Sequence, residues 1–110
     1  MTLCDVYPDG RAIRISWGAL RTRYRETLRQ AKLMTPGEIY ALHIELAPIV
    51  NVFQAGHRIR VDIRSANFPL YDRNPNTGHV IGADAEMQAA TQTLYHSEQY
   101  PSCIMLPISK

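Results

Sequence analysis

The stretch "HRIRVDIRS", His57 to Ser65, alternates apolar and polar residues without a break. Ile59, Val61 and Ile63 fall on one side, and Arg58, Arg60, Asp62 and Arg64 on the other. Neighbours on a helix face are spaced three and four apart, so only a strand gathers these apolar residues on one face. "EIYALHIEL" repeats the pattern, with Tyr40, Leu42, Ile44 and Leu46 on one face and His43 and Glu45 on the other. Both read as half-buried strands, one face dry and one wet. A chain with two such strands is built around a sheet.

Weaker strands flank them. "TLCDVY" and "RAIRIS" are separated by "PDG", where Pro8 pre-sets the turn and Gly10 is free to take positive φ. Towards the other end, "QAATQTLYH" and "CIMLPI" are apolar and β-branched, with Pro107 confining the last to an edge or ladder end. "TPGE" and "QAGH" read as turns just before strands. One segment is ambiguous. In "WGALRTRYRETLRQAKLM", Leu20, Tyr24, Leu28 and Ala31 suit an amphipathic helix, which the residues taken alone favour. Read with period two, Leu20, Thr22 and Tyr24 face in and Arg21, Arg23 and Arg25 face out. About seven short strands between turn signals suggest a β-sandwich of jelly-roll or immunoglobulin-like type.

At 110 residues this is a single domain, 1–110, expected to bury roughly 65% of its unfolded surface. A formal charge of +2 is too small to draw in nucleic acid by field alone. Arg supplies ten of the twelve basic residues, which suits planar ion pairs at packed surfaces or reflects genome composition. No apolar run reaches the roughly 18 residues that span a bilayer, and "MTLCDVYPDG" has no signal-peptide pattern, so a cytoplasmic location without membrane contact is expected. Cys4 and Cys103 then read as two buried free thiols rather than a bridge.

Catalytic chemistry is hard to find. Ser16, Ser65, Ser97, Ser102 and Ser109 lack the G-x-S-x-G turn that presents a hydrolase nucleophile. His43, His57, His79 and His96 have neither helical zinc spacing nor a nearby Cys pair. His43 and His96 read as wet-face strand residues, and only His79, in the long loop, stays a candidate. Asp72, Asn74, Asn76 and Asp84 offer oxygen ligands for Ca²⁺, but Arg73 in their midst works against a cation. Arg21, Arg23 and Arg25 read as a solvated or salt-bridged face. No metal or cofactor is expected. For a carbohydrate or other small ligand, the weak candidates are Trp17, Tyr24 and Tyr71, which could stack on a ring.

The blocks "VYPDGRAIRIS", "GALRTRYRETL", "TPGEIYALHIEL", "NVFQAGHRIRVDIRSANFPLYDRNPNTG" and "QTLYHSEQYPSCIMLPI" occur in this order. Together they resemble the C-terminal, non-catalytic domain of the X-Pro dipeptidyl-peptidase and cocaine esterase family of α/β-hydrolases, from about Asp5 to Ile108. Ala66 departs from the pattern where a second Ser is common, and Cys103 where a basic residue is common. The resemblance implies an all-β, galactose-binding-like jelly-roll sandwich that lacks its opening strands. It also implies that "WGALRTRY" runs as a strand, and that no catalytic residue of the family has a counterpart here.

In this frame the loop "SANFPLYDRNPNTGH" is a brace. Asn67, Asp72, Arg73, Asn74 and Asn76 are expected to hydrogen-bond loop backbone and neighbouring strands, with Pro69 and Pro75 lowering the entropy of ordering. A sandwich short of strands leaves an edge and an apolar face open. The expectation is therefore a non-catalytic accessory domain acting by self-assembly or protein docking. A homo-oligomer is expected, its interface near "TLCDVY" and "RAIRIS". The alternatives are a small carbohydrate-binding module and a subunit of a split hydrolase, with the α/β-hydrolase catalytic partner on another chain.

Overall fold

The computed structural model describes residues 1–108; Ser109 and Lys110 lie outside the described residues. The chain falls into two compact units, Met1–Asn74 and the residues from Pro75 onward. The first holds an antiparallel sheet of β1 (Thr2–Val6), β2 (Ala12–Trp17) and β3 (Arg58–Asp62), in the order β2-β1-β3. With a single 3-10 turn and no α-helix among the described residues, the architecture is all-β. It is an open sheet of the kind that makes one layer of a sandwich.

The hairpin joining β1 and β2 forms where "PDG" places it. Gly10 N donates to Tyr7 O at 2.9 Å, and Tyr7 N donates to Arg11 O at 2.8 Å, closing a three-residue loop. Asp9 fixes the far side, accepting from Arg11 N at 3.0 Å and Arg11 Nε at 2.6 Å, and these bonds hold its carboxyl below the usual carboxylate range. Gly10 has φ +91, and a Cβ there would meet nothing within 4 Å. Gly10→Ala therefore isolates the backbone term: urea denaturation should show a loss of about 1–2 kcal/mol. An unchanged midpoint would mean that this turn does not set the hairpin.

β1 is the central strand, and all five of its residues are buried. Leu3, Cys4 and Val6 make the apolar core, and Thr2 and Asp5 are buried beside them. The ladder to β2 slips between Leu3, opposite Ser16, and Cys4, opposite Arg14, leaving Ile15 as an extra residue. This bulge resets the alternation, so Ser16 turns inward. Ser16 Oγ donates to Ala47 O at 2.6 Å and Ala47 N donates to Trp17 O at 3.0 Å, strapping Glu45–Ala47 along the outer edge of β2. Gly18 lets the strap close, since a Cβ there would stand 1.8 Å from Glu45 O.

The structure departs from several expectations. Three strands are laddered among the described residues rather than about seven. "EIYALHIEL" and the two late apolar runs are irregular, because a strand needs a ladder partner as well as an alternating pattern. The apolar side of "HRIRVDIRS" is not dry: Ile59 and Ile63 are each 51% exposed. The ambiguous segment is neither helix nor strand but a 3-10 turn over Thr22–Tyr24. Arg25 is the reason. Its Nη1 donates to Thr22 O at 3.1 Å and to Lys32 O at 2.7 Å, while Lys32 N donates to Arg23 O at 2.7 Å. The chain doubles back around a guanidinium that stacks on Tyr40 at 4.6 Å. That side chain is 8% exposed, so Arg25 does not belong to an outward basic face. Cys4 and Cys103 are both free, but only Cys4 is buried.

Candidate functional site

Two features of the first unit stand out: the open edge of the sheet, and a buried Asp–His pair that ties the turn before β3 to β1. The open side begins at β3, an edge strand with Arg58, Ile59 and Arg60 exposed. Ile13 on β2 is 47% exposed, and Val61 is half-buried. Apolar side chains are thus left facing water on a sheet whose central strand is fully buried. β1 has a neighbour on each side and the outer edge of β2 carries the strap, so among the described residues the edge without a backbone partner is that of β3.

The anchoring pair joins β1 to the turn before β3. His57 Nδ1 lies 2.8 Å from Asp5 Oδ1, with the two side chains 10% and 8% exposed. His57 N donates to Gln54 O at 3.0 Å, closing the "QAGH" turn that aims the ring inward. The His57 ring packs against Tyr7 at 4.3 Å, and the Arg11 guanidinium covers the Tyr7 ring at 4.8 Å. Arg11, Tyr7, His57 and Asp5 thus form a layered column from the hairpin tip to the sheet interior. Sequence reasoning did not single out His57 or Asp5. They are 52 positions apart, and the only local signal was a His directly after a Gly turn and before a strand.

The ring candidates are partly gathered. Trp17 and Tyr71 meet edge-to-face at 5.9 Å, while Tyr24 ends the 3-10 turn. An edge contact directs one ring's rim at the other's face, unlike the open parallel faces that clasp a sugar ring. In the loop, Asn67 O accepts from Tyr71 N at 3.0 Å, and the Arg73 guanidinium lies over the Phe68 ring at 5.1 Å. Asp72 and Asn74 are exposed. The boundary between the two units falls inside this loop, after Asn74. Three serine hydroxyls are engaged with backbone: Ser16 as above, Ser102 Oγ donating to Tyr95 O at 2.6 Å, and Ser97 Oγ accepting from Tyr100 N at 3.1 Å.

The second unit has its own hub. Asn76, at φ 60, directs Nδ2 to Gln88 O at 3.0 Å, and Gln88 N donates to Pro75 O at 2.8 Å. Inside this closed loop, Asp84 accepts from the Thr77 hydroxyl and from Glu86 N at 3.0 Å, with His79 Nδ1 also 3.0 Å away. The Thr77 hydroxyl, then the Glu86 amide and the His79 ring, hold the Asp84 carboxyl below its ordinary range. A lowered folded-state value means stability that is fully present above the ordinary carboxylate range and lost as pH falls through the lowered value. Amide protection over residues 75–88 should therefore weaken in acid, and Asp84→Asn should abolish that dependence. Equal acid sensitivity in the variant would show that another carboxylate is responsible.

Among the described residues no helix is long and apolar enough to cross a membrane. Comparison with known proteins agrees with the residue-level reading. The chain is 49% identical over 110 residues to the cocaine esterase of a Rhodococcus species, covering 98% of this chain and 19% of that protein. It is 31% identical over 121 residues to proteins of Mycobacterium bovis and Mycobacterium tuberculosis named as serine esterases, covering 94% of this chain and 18% of theirs. The chain therefore spans about a fifth of the length of these curated relatives. The model of the X-Pro dipeptidyl-peptidase C-terminal non-catalytic domain matches residues 1–105. This match over nearly the whole chain, together with the identity to these relatives, shows that the chain belongs to that family of non-catalytic C-terminal domains.

Proposed function

We propose that this chain is the accessory β-domain of an esterase-type α/β-hydrolase, of galactose-binding-like jelly-roll kind, and that it works by docking on protein through its open sheet. One observation carries the reading. The accessible surface is 9390 Å², whereas a folded monomer of this mass exposes about 6,200 Å². Only about half of the unfolded-chain surface is buried, against the roughly two-thirds expected at this length. The surplus of about 3,000 Å² on one chain is at least as large as one partner's share of an obligate protein interface, about 1,000–2,500 Å². Much of it is apolar, including Ile13, Ile59 and Ile63 on or beside the sheet.

The partner in this reading is a protein surface: the catalytic α/β-hydrolase portion, or a second copy. Sedimentation of the chain alone and mixed with the catalytic portion of the related cocaine esterase tests it. Concentration-dependent self-association, displaced or supplemented by a mixed complex, is the expected result. A clean monomer over a wide concentration range that ignores the catalytic portion would overturn it.

A further inference from the structure

The two edges of the sheet are treated differently. The outer edge of β2 is strapped by Glu45–Ala47 through Ala47 N to Trp17 O at 3.0 Å and Ser16 Oγ to Ala47 O at 2.6 Å. Among the described residues, no backbone hydrogen bond reaches β3 except from β1. Such a row of free N–H and C=O groups is a template for one more strand. The side chains along it specify which strand fits.

Laid antiparallel against itself about Arg60, the β3 sequence "RIRVD" is self-complementary. Arg58 comes opposite the partner's Asp62, and Asp62 opposite the partner's Arg58. On the other face Ile59 comes opposite the partner's Val61, and again the reverse. Opposite charges and apolar β-branched residues placed directly across a ladder are the favourable pairings. The one like-charge contact is Arg60 with its own image, and each Arg60 is already held by Asp62 of its own chain, Nε to Oδ1 at 3.1 Å. Moving the centre to Val61 pairs Ile59 with Ile63 and Arg60 with Asp62, but sets Arg58 against Arg64 twice, two like-charge contacts where the Arg60 centre has one. A two-fold arrangement needs a patch that matches itself, and this strand supplies one.

We infer that two copies of this chain pair antiparallel along β3 about a two-fold axis at Arg60, joining their sheets into one continuous sheet. The pairing covers the free ladder groups and brings the exposed Ile59 of each copy against Val61 of the other. The inference deepens the docking reading and rests on it for the need of a cover. Its geometry comes from the strand alone.

Charge exchange across the axis is the test. Arg58→Asp places like charges opposite each other twice, and so does Asp62→Arg. Each variant alone should raise the dimer dissociation constant by about tenfold or more. Mixed together they bring opposite charges into both positions, and a heterodimer of near-parental affinity should form. Arg60→Cys, in a Cys103→Ser background because Cys103 is exposed, should cross-link on oxidation. Residues facing across an antiparallel ladder lie about 4.5–5.5 Å apart at Cα, within disulfide reach. This second variant keeps the test intact if Asp62→Arg does not fold. A dimer indifferent to both charge changes and failing to cross-link would overturn the inference and leave docking standing. So would a monomer that binds the catalytic portion. A monomer that binds neither would overturn both.

Discussion

Gly18→Ala should cost at least about 3 kcal/mol of unfolding free energy, the largest loss expected from any single methyl added to this chain. The new Cβ would stand 1.8 Å from the Glu45 carbonyl oxygen and 2.9 Å from its carbon, and both are backbone atoms that no rotamer change can move aside. Relief requires the strap to lift or the end of β2 to peel. Lifting the strap breaks the Ala47 N to Trp17 O and Ser16 Oγ to Ala47 O bonds, each contributing about 1 kcal/mol. Peeling β2 breaks the reciprocal bonds between Met1 and Gly18, at 3.0 and 2.8 Å. Overpacking of a tight site adds about 1–3 kcal/mol to either route. Chemical denaturation measures the loss, and Gly10→Ala is the control with strained backbone but open space. If the two glycine variants lose equal stability, the strap does not lie against β2 as described.

His57→Phe should be the second most damaging change, costing about 3 kcal/mol, while Asp5→Asn should cost about 1 kcal/mol. The asymmetry follows from what each leaves behind. Phenylalanine preserves the ring contact with Tyr7, at 4.3 Å in the parent, but strands a carboxylate that is 8% exposed. Asparagine keeps an oxygen facing His57 and removes only the charge. Urea midpoints of the two variants and of the double variant give the coupling directly. Equal costs, or a His57→Phe loss below about 0.5 kcal/mol, would mean that solvent reaches Asp5 freely.

What the sequence revealed and what it concealed divide along the range of the interactions. The "PDG" hairpin is visible because Pro8, Asp9 and Gly10 act on their own neighbours. β3 is visible because "RIRVD" carries its period within five residues. The ladder state of "EIYALHIEL" is not, since alternation is a property of one segment and pairing a property of two. That run ends within the strap, at Glu45 and Leu46, yet the contact depends on Gly18, far back in the chain, and on a bulge at Ile15 that no periodicity announces. Arg25 misleads for a related reason. An arginine among Arg21 and Arg23 reads as surface, and only the folded chain shows two carbonyls and a Tyr40 ring waiting for it. The Asp5–His57 pair was hidden by distance. Of the loop candidates, Asn76 reaches Gln88 O through its side-chain amide, Asn67 accepts from Tyr71 N through its backbone carbonyl, and the Arg73 guanidinium lies over Phe68.

The position of β1 between two neighbours, buried along its whole length, has a consequence for how the sheet comes undone. Losing either flank still leaves β1 zipped to the other, so its amides trade hydrogen for deuterium only when everything opens. The slowest clock in the molecule therefore sits in its first six residues, and the sheet frays from β2 and β3 towards that seam.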